Sequence, residues 1–300
     1  MNKIRTILTF VVLLVAVVSF TACGGGDKAA GSEASLLTMI PADAAGVVTM
    51  NFEKIRKLEF FDKMVADLEK KETESEGKAF KSYEDFVKKT GIDLRKDLHA
   101  VAFGLFGDFQ NAGDDAEFVI VGKITMDRQK ILEIIKKEGK EVTSADYKGQ
   151  ELFMAKDDDG KEVGFSFLSD SIITAGRHPQ VKRVIDLFKG EGDSILKNAA
   201  KKVYLDKMDP GAVMTFVFDF PEKMKAAGQQ GGPFKMDLSK AEMVFGTIDH
   251  AAAAWKGEIK MISKDEAANK NMVTMLNGLK GMGAMAGPEV AELVSNMNLT

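Results

Sequence analysis

Apolar positions along this chain recur with two different periods. Residues 46–52 (GVVTMNF) form a short apolar run behind the turn residues Pro41, Ala42 and Asp43, which predicts a strand. Ile55, Leu58, Phe61, Met64, Val65 and Leu68 then recur every three or four positions, the spacing of one helix face. Phe80, Tyr83, Phe86 and Val87 predict a second helix, stopped at Thr90-Gly91. Residues 100–106 and 118–125 predict two strands with a polar turn between them. Residues 127–138 predict a helix with Ile131, Leu132, Ile134 and Ile135 inward and Gly139 as its stop. Strands follow at 150–155, 162–168 and 171–175, then helices at 179–188 and 194–205.

The order then restarts. Residues 211–220 (GAVMTFVFDF) predict a strand and 221–227 a helix with Pro221 in its first turn. Residues 241–248 and 252–262 predict strands, and 263–279 a helix with Asp265 and Glu266 in its first turn. AGVVTMNF against GAVMTFVF, AVAFGLF against MVFGTID, and Gly122-Lys123-Ile124-Thr125-Met126 against Gly257-Glu258-Ile259-Lys260-Met261 occupy matching places. The shared order is βαββα, and one further strand would make it a ferredoxin-like unit. The expected fold class is therefore α+β. It has two related halves of βαββα(β) type, with antiparallel sheets carrying helices on one face. The halves divide at residues 36–190 and 191–300; the second lacks clear closing strands, so either it is incomplete or the gene product continues beyond residue 300.

The N-terminus has a different pattern. Lys3 and Arg5 precede an apolar run from Ile7 to Val18, interrupted only by Thr9. That length suits a secretory signal and falls short of the roughly 20 residues a spanning helix needs. Thr21 and Ala22 are small, and Cys23, the single cysteine of the chain, follows at once. The segment resembles the lipobox of bacterial lipoprotein precursors, with Phe20 in place of the usual Leu. The resemblance implies cleavage between Ala22 and Cys23, diacylation of the Cys23 sulfur and acylation of its new amino group. Residues 1–22 are then the signal peptide, and residues 23–35 the lipidated cysteine and a Gly/Ser-rich tether. Gly24 stands where an Asp favours inner-membrane retention in enteric bacteria, so the resemblance implies sorting to the outer membrane.

Composition narrows the classes further. Of 300 residues 45% are hydrophobic, enough for a real core, and the lone cysteine excludes a disulfide scaffold or a cysteine-based metal site. There are 41 Lys and Arg against 45 Asp and Glu, which leaves no basic excess for nucleic acid. The signal carries two cations and no acid, so cleavage takes the net charge from −4 to −6.

Candidate chemistry is sparse. His99, His178 and His250 have no partners at metalloprotease spacing and read as surface or capping residues. Asp157-Asp158-Asp159-Gly160 lacks the alternation of a calcium loop and reads as a hairpin turn, and Asp114-Asp115 likewise as a turn. The glycine clusters at 190–192, 228–232 and 281–287 do not join a strand to a helix with phosphate-loop spacing. No metal, cofactor or catalytic residue is assigned. Eleven of the 17 methionines fall after residue 200, which fits core packing or an apolar groove.

Two segments frame the first half. Leu37-Thr38-Met39-Ile40-Pro41-Ala42-Asp43-Ala44 leads into the first strand, and Thr90-Gly91-Ile92-Asp93-Leu94-Arg95-Lys96-Asp97 into the second. With the signal and tether, they resemble a family of uncharacterised bacterial lipoproteins and exported proteins of unknown function, over most of residues 36–263. The resemblance implies no catalytic residue. The expectation is a lipid-anchored, non-enzymatic envelope protein that binds membrane lipid through Cys23 and an envelope protein or apolar ligand through its body. The alternatives are an envelope hydrolase with a scattered site and a purely structural component.

Overall fold

The computed structural model describes residues 36–70, 82–107, 117–138, 142–157, 160–220, 240–251, 254–263 and 297–299, with single positions at 222, 225, 265, 266, 270 and 273. Its elements are β1 (Gly46–Asn51), α1 (Phe52–Ile55), α2 (Glu59–Lys70), α3 (Tyr83–Thr90), β2 (Leu98–Phe106), β3 (Glu117–Ile124), α4 (Arg128–Glu138), β4 (Thr143–Tyr147), β5 (Gln150–Lys156), β6 (Glu162–Phe167), β7 (Ile172–Arg177), α5 (His178–Phe188), a 3₁₀ turn (Ile195–Lys197), α6 (Ala199–Leu205), β8 (Met214–Asp219), β9 (Ala241–Ala251), β10 (Ala254–Ser263) and β11 (Met297–Leu299). Mixed helices on a largely antiparallel sheet make it α+β.

The eleven strands among the described residues form one sheet, in the order β11-β10-β9-β8-β1-β2-β3-β7-β6-β5-β4. Among the described residues only the β10–β11 pair is parallel. β1 and β2 are antiparallel neighbours. That differs from the ferredoxin-like expectation, where the strands around the first helix run parallel. The strands before and after residue 190 form two contiguous blocks of this one sheet, joined where β8 hydrogen-bonds to β1.

Helices cover both faces rather than one, which corrects the sequence expectation. Val101 and Phe103 of β2, Ile120 of β3 and Phe153 of β5 pack with Phe61, Phe86 and Ile131 from α2, α3 and α4. Ala100, Ala102, Val119, Val121 and Leu152 face the other way, onto Val181, Val184 and Ile185 of α5 and Ile195 of the turn. A strand buried on both sides reads as a continuous apolar run, which is how LHAVAFGLF in β2 is written.

The seam between β1 and β8 joins the early and late parts of the chain. Thr49 pairs with Thr215 in register, and their Oγ atoms lie 2.6 Å apart. On the opposite side of β8, Phe218 pairs with Gly46 of β1 and Phe216 with Gly246 of β9. Each ring lies over its glycine, so that a Cβ there would come within 2.1 Å of Phe218 and 2.7 Å of Phe216. These glycines are required by close approach of an aromatic ring from the next strand.

Candidate functional site

The connection 90–97 is a folded turn. Thr90 donates to the Phe86 carbonyl (2.7 Å) and accepts from Ile92 N–H (3.1 Å). Gly91 takes the left-handed conformation (φ 77°) that ends α3. Asp93 accepts from Arg95 N–H and from the Tyr83 hydroxyl, while Asp97 accepts from Asp93 N–H. Burial, then the nearby Asp93 carboxylate, holds the Tyr83 phenol well above its ordinary pKa. The carboxylates that mark this segment in the sequence are thus spent on shaping a turn.

The turn delivers the chain into β2 at a bulge. Leu98 pairs with Ile124 and Ala100 with Lys123, so His99 is the extra residue. The bulge lets both Leu98 and Val101 enter the same core and re-aims the imidazole. His99 Nδ1 lies 3.2 Å from Glu53 Oε1, and Nε2 lies 2.8 Å from Thr125 Oγ1. Glu53 comes from α1, and Thr125 directly follows β3. A ring nitrogen against a hydroxyl, with the other nitrogen against a carboxylate, is the arrangement that activates a hydroxyl as nucleophile. Sequence reasoning had His99 as a surface or capping residue and did not find Glu53 or Thr125. They lie 46 and 26 positions from His99, and no local motif links them.

Thr125 adjoins an open surface depression of about 830 Å³, lined by Met126, Asp127, Arg128, Gln129, Leu132, Glu151 and Asp170. Asp127 caps α4 by accepting from Lys130 N–H at 3.1 Å. The Arg128 guanidinium stands 5.3 Å from the Phe167 ring centre and 3.8 Å from Glu151. The lining is mixed: Met126 and Leu132 supply apolar wall, and three carboxylates with one guanidinium supply hydrogen-bonding capacity. It sits on elements of residues 126–170.

The other candidates have structural partners. Asp157 accepts from Lys161 N–H at 2.8 Å and pairs with Arg177, as a hairpin-turn aspartate. Asp158, Asp159, Asp114 and Asp115 lie outside the described residues. His178 Nδ1 meets Glu162 at 3.0 Å, while its buried Nε2 has no partner. Lys148 is held by Asp186 and Glu191, each at 2.5 Å, which raises its pKa. Met208 and Met243 are core residues, and Met214 and Met261 pack against it. Among the described residues, no group of three or more His, Cys, Asp or Glu is arranged to hold a metal.

The N-terminal lead-in is a dock. Leu36 and Ile40 are fully buried against the α5 side of the sheet. Ile195 N–H donates to the Ile40 carbonyl (2.7 Å), Ala42 N–H to Asp193 (2.9 Å), and Asn198 Nδ2 to Ala42 (2.8 Å). Asp43 pairs with Arg183 of α5. Ala22 and Cys23 lie outside the described residues. No described helix is long and apolar enough to cross a membrane.

No protein-family model matches the sequence. It is 26% identical to an uncharacterized protein of Methanocaldococcus jannaschii over 216 residues, 71% of this chain and 68% of that one. Among solved structures, crystal forms I and IV of TP0453 give TM-scores of 0.47 and 0.42 at 9% and 10% identity. They cover 83% and 74% of this chain and 88% and 77% of theirs.

Proposed function

We propose that the chain is a bacterial envelope lipoprotein, held by acylated Cys23 at the outer membrane, whose body binds an envelope partner or an apolar ligand without chemistry. The ordered series of basic residues, apolar run, Thr21-Ala22 and Cys23 carries this reading. The dock supports it: thirteen positions after Cys23 the chain is already fixed to the core at Leu36, as a tethered body requires. The depression beside α4 is the ligand or partner site we favour, since it joins apolar wall to orienting polar groups. Expression in a bacterial host with an alkyne fatty acid tests the anchor. The wild-type chain should take up label and sediment with membranes, and Cys23→Ser should accumulate unlabelled precursor. Normal processing of Cys23→Ser would overturn it.

The Glu53–His99–Thr125 arrangement favours a second reading, an envelope hydrolase. His99 would take the Thr125 proton as Oγ attacks an ester carbonyl, then return it to the departing alcohol, after which water would release the acid. A fluorophosphonate probe decides between the two. Labelling of Thr125 that is lost in His99→Ala supports the hydrolase, and no labelling supports the binder.

We also infer that β1–β3 and β8–β10 descend from one unit. Aligned end to end, AGVVTMNF and GAVMTFVF put Thr49 on Thr215, the pair that meets at the seam. Followed outward through the ladders, Val121 then matches Glu258. That is two residues out of step with the Gly122–Gly257 match, an even shift that preserves the faces.

A further inference from the structure

We infer that the α5–α6 surface lies against the lipid bilayer, with the depression beside α4 facing away from it. The inference rests on the lipid-anchor reading. Leu36 and Ile40 are buried with Val181, Val184 and Ile185 of α5 and with Ile195. The tether therefore reaches the body on this side of the sheet. Twelve residues separate Cys23 from Leu36, a mean reach of about 20 Å for a Gly/Ser-rich chain. That is shorter than a domain of this size is wide, so the surface around the dock is the one brought to the membrane.

The same surface has the composition of a contact with lipid. Phe188 at the end of α5 and Val203 in α6 are 36% and 50% exposed, the large hydrophobic side chains that stand out among the described residues. Residues 178–209 hold seven Lys and Arg against five Asp and Glu, in a chain whose net charge is −4. Lys182, Lys189 and Lys207 each stand within about 6 Å of an aromatic ring centre, of Tyr147, Phe188 and Tyr204. Lys197 and Lys202 are paired to Asp193 and Asp206. This surface adds little affinity by itself. The acyl chains hold the protein, and exposed apolar tips with flanking lysines set its orientation against anionic lipid.

The depression beside α4 lies on the opposite side of the sheet. Leu132 and Met126 pack against the core that contains Phe61, Phe86 and Phe153. Glu151 and Phe153 lie on one side of β5 by alternation, and Leu152 on the other. An α5–α6 surface on lipid leaves the depression and the His99 trio open to the aqueous compartment.

The test uses the acylated protein purified from membranes and returned to phosphatidylethanolamine/phosphatidylglycerol vesicles. Phe188→Cys, Val203→Cys and, as the far-side position, Gln129→Cys are each labelled with an environment-sensitive nitrobenzoxadiazole dye. The dye at 188 and 203 should shift to the blue and be quenched by brominated lipid, and the dye at 129 should show neither. Equal solvent exposure at all three positions, or quenching at 129 instead, would overturn the orientation. The mass of the N-terminal peptide is read on the same samples. An unacylated, dye-reactive Cys23 refutes the anchor, whereas acylated Cys23 without quenching at 188 and 203 refutes the orientation alone.

Discussion

Thr49 and Thr215, 166 residues apart, share a hydroxyl–hydroxyl hydrogen bond of 2.6 Å inside the sheet. Both side chains are buried, so each satisfies the other where water cannot. Either single Val substitution strands a hydroxyl and should cost about 1–3 kcal/mol, whereas the double Val variant should be close to neutral. Urea denaturation of the four proteins measures the coupling. Additive single effects would mean that the two hydroxyls do not depend on one another.

Gly46 and Gly246 are both overlain by rings, but by different constraints. The three atoms nearest a Cβ on Gly46 all belong to the Phe218 ring, while the nearest to one on Gly246 is the Glu258 carbonyl oxygen. Gly46→Ala and Gly246→Ala should each destabilise by roughly 1–3 kcal/mol. Adding Phe218→Leu should restore part of the Gly46→Ala loss, and adding Phe216→Leu should restore less of the Gly246→Ala loss. Thermal melts of the two double variants test the difference.

Lys54 is only 5% exposed and pairs with Asp249 of β9 at 3.0 Å. Asp249→Ala leaves that ammonium buried and should cost on the order of 3 kcal/mol. Lys54→Met removes the charge as well and should cost less. Equal losses would show that the ammonium finds water once Asp249 is gone.

Tyr83 gives the fold an alkaline limit. Its phenol pKa is raised in the folded state above the ordinary value of 10, so above that pH the unfolded chain loses a proton that the folded chain keeps. Stability is therefore complete below pH 10 and falls as pH rises beyond it. Tyr83→Phe should flatten this decline while lowering stability at neutral pH, because the buried Leu94 N–H loses its acceptor. Denaturation at pH 7 and at pH 10.5 separates the two effects.

Ile40 ties the N-terminal segment to the core. Ile40→Ala should cost about 2–5 kcal/mol and expose residues 36–44 to protease before the sheet is cut. Limited proteolysis followed by mass analysis reads the order of cleavage.

Much of the fold was written in local patterns. β1 to β3, β5 to β7, α4 and α5 follow from period-two or period-3.6 apolar spacing with turn residues between them. β4 was missed because TSADY is exposed over most of its length, and an edge strand with little buried face has no alternation to read. The stretch from Ile55 to Leu68 reads as one helix and is two, α1 and α2. The 194–205 helix likewise divides at Asn198, whose side chain caps α6 by accepting from Ala200 and Lys201 N–H.

The candidate site shows the same division more sharply. Sequence alone determined the strand-rich first half and the helix stop at Thr90-Gly91, because each depends on neighbours in the chain; the signal and the lipobox-like Cys23 are read from residues 1–23 by resemblance and belong to the proposal. Tertiary structure decided that helices lie on both faces, that β1 meets β8, and that His99 stands between Glu53 and Thr125. The physical reason is separation. Ladder partners and side-chain triads are chosen by packing of distant segments and by a single bulge residue, and neither leaves a periodic trace in the sequence.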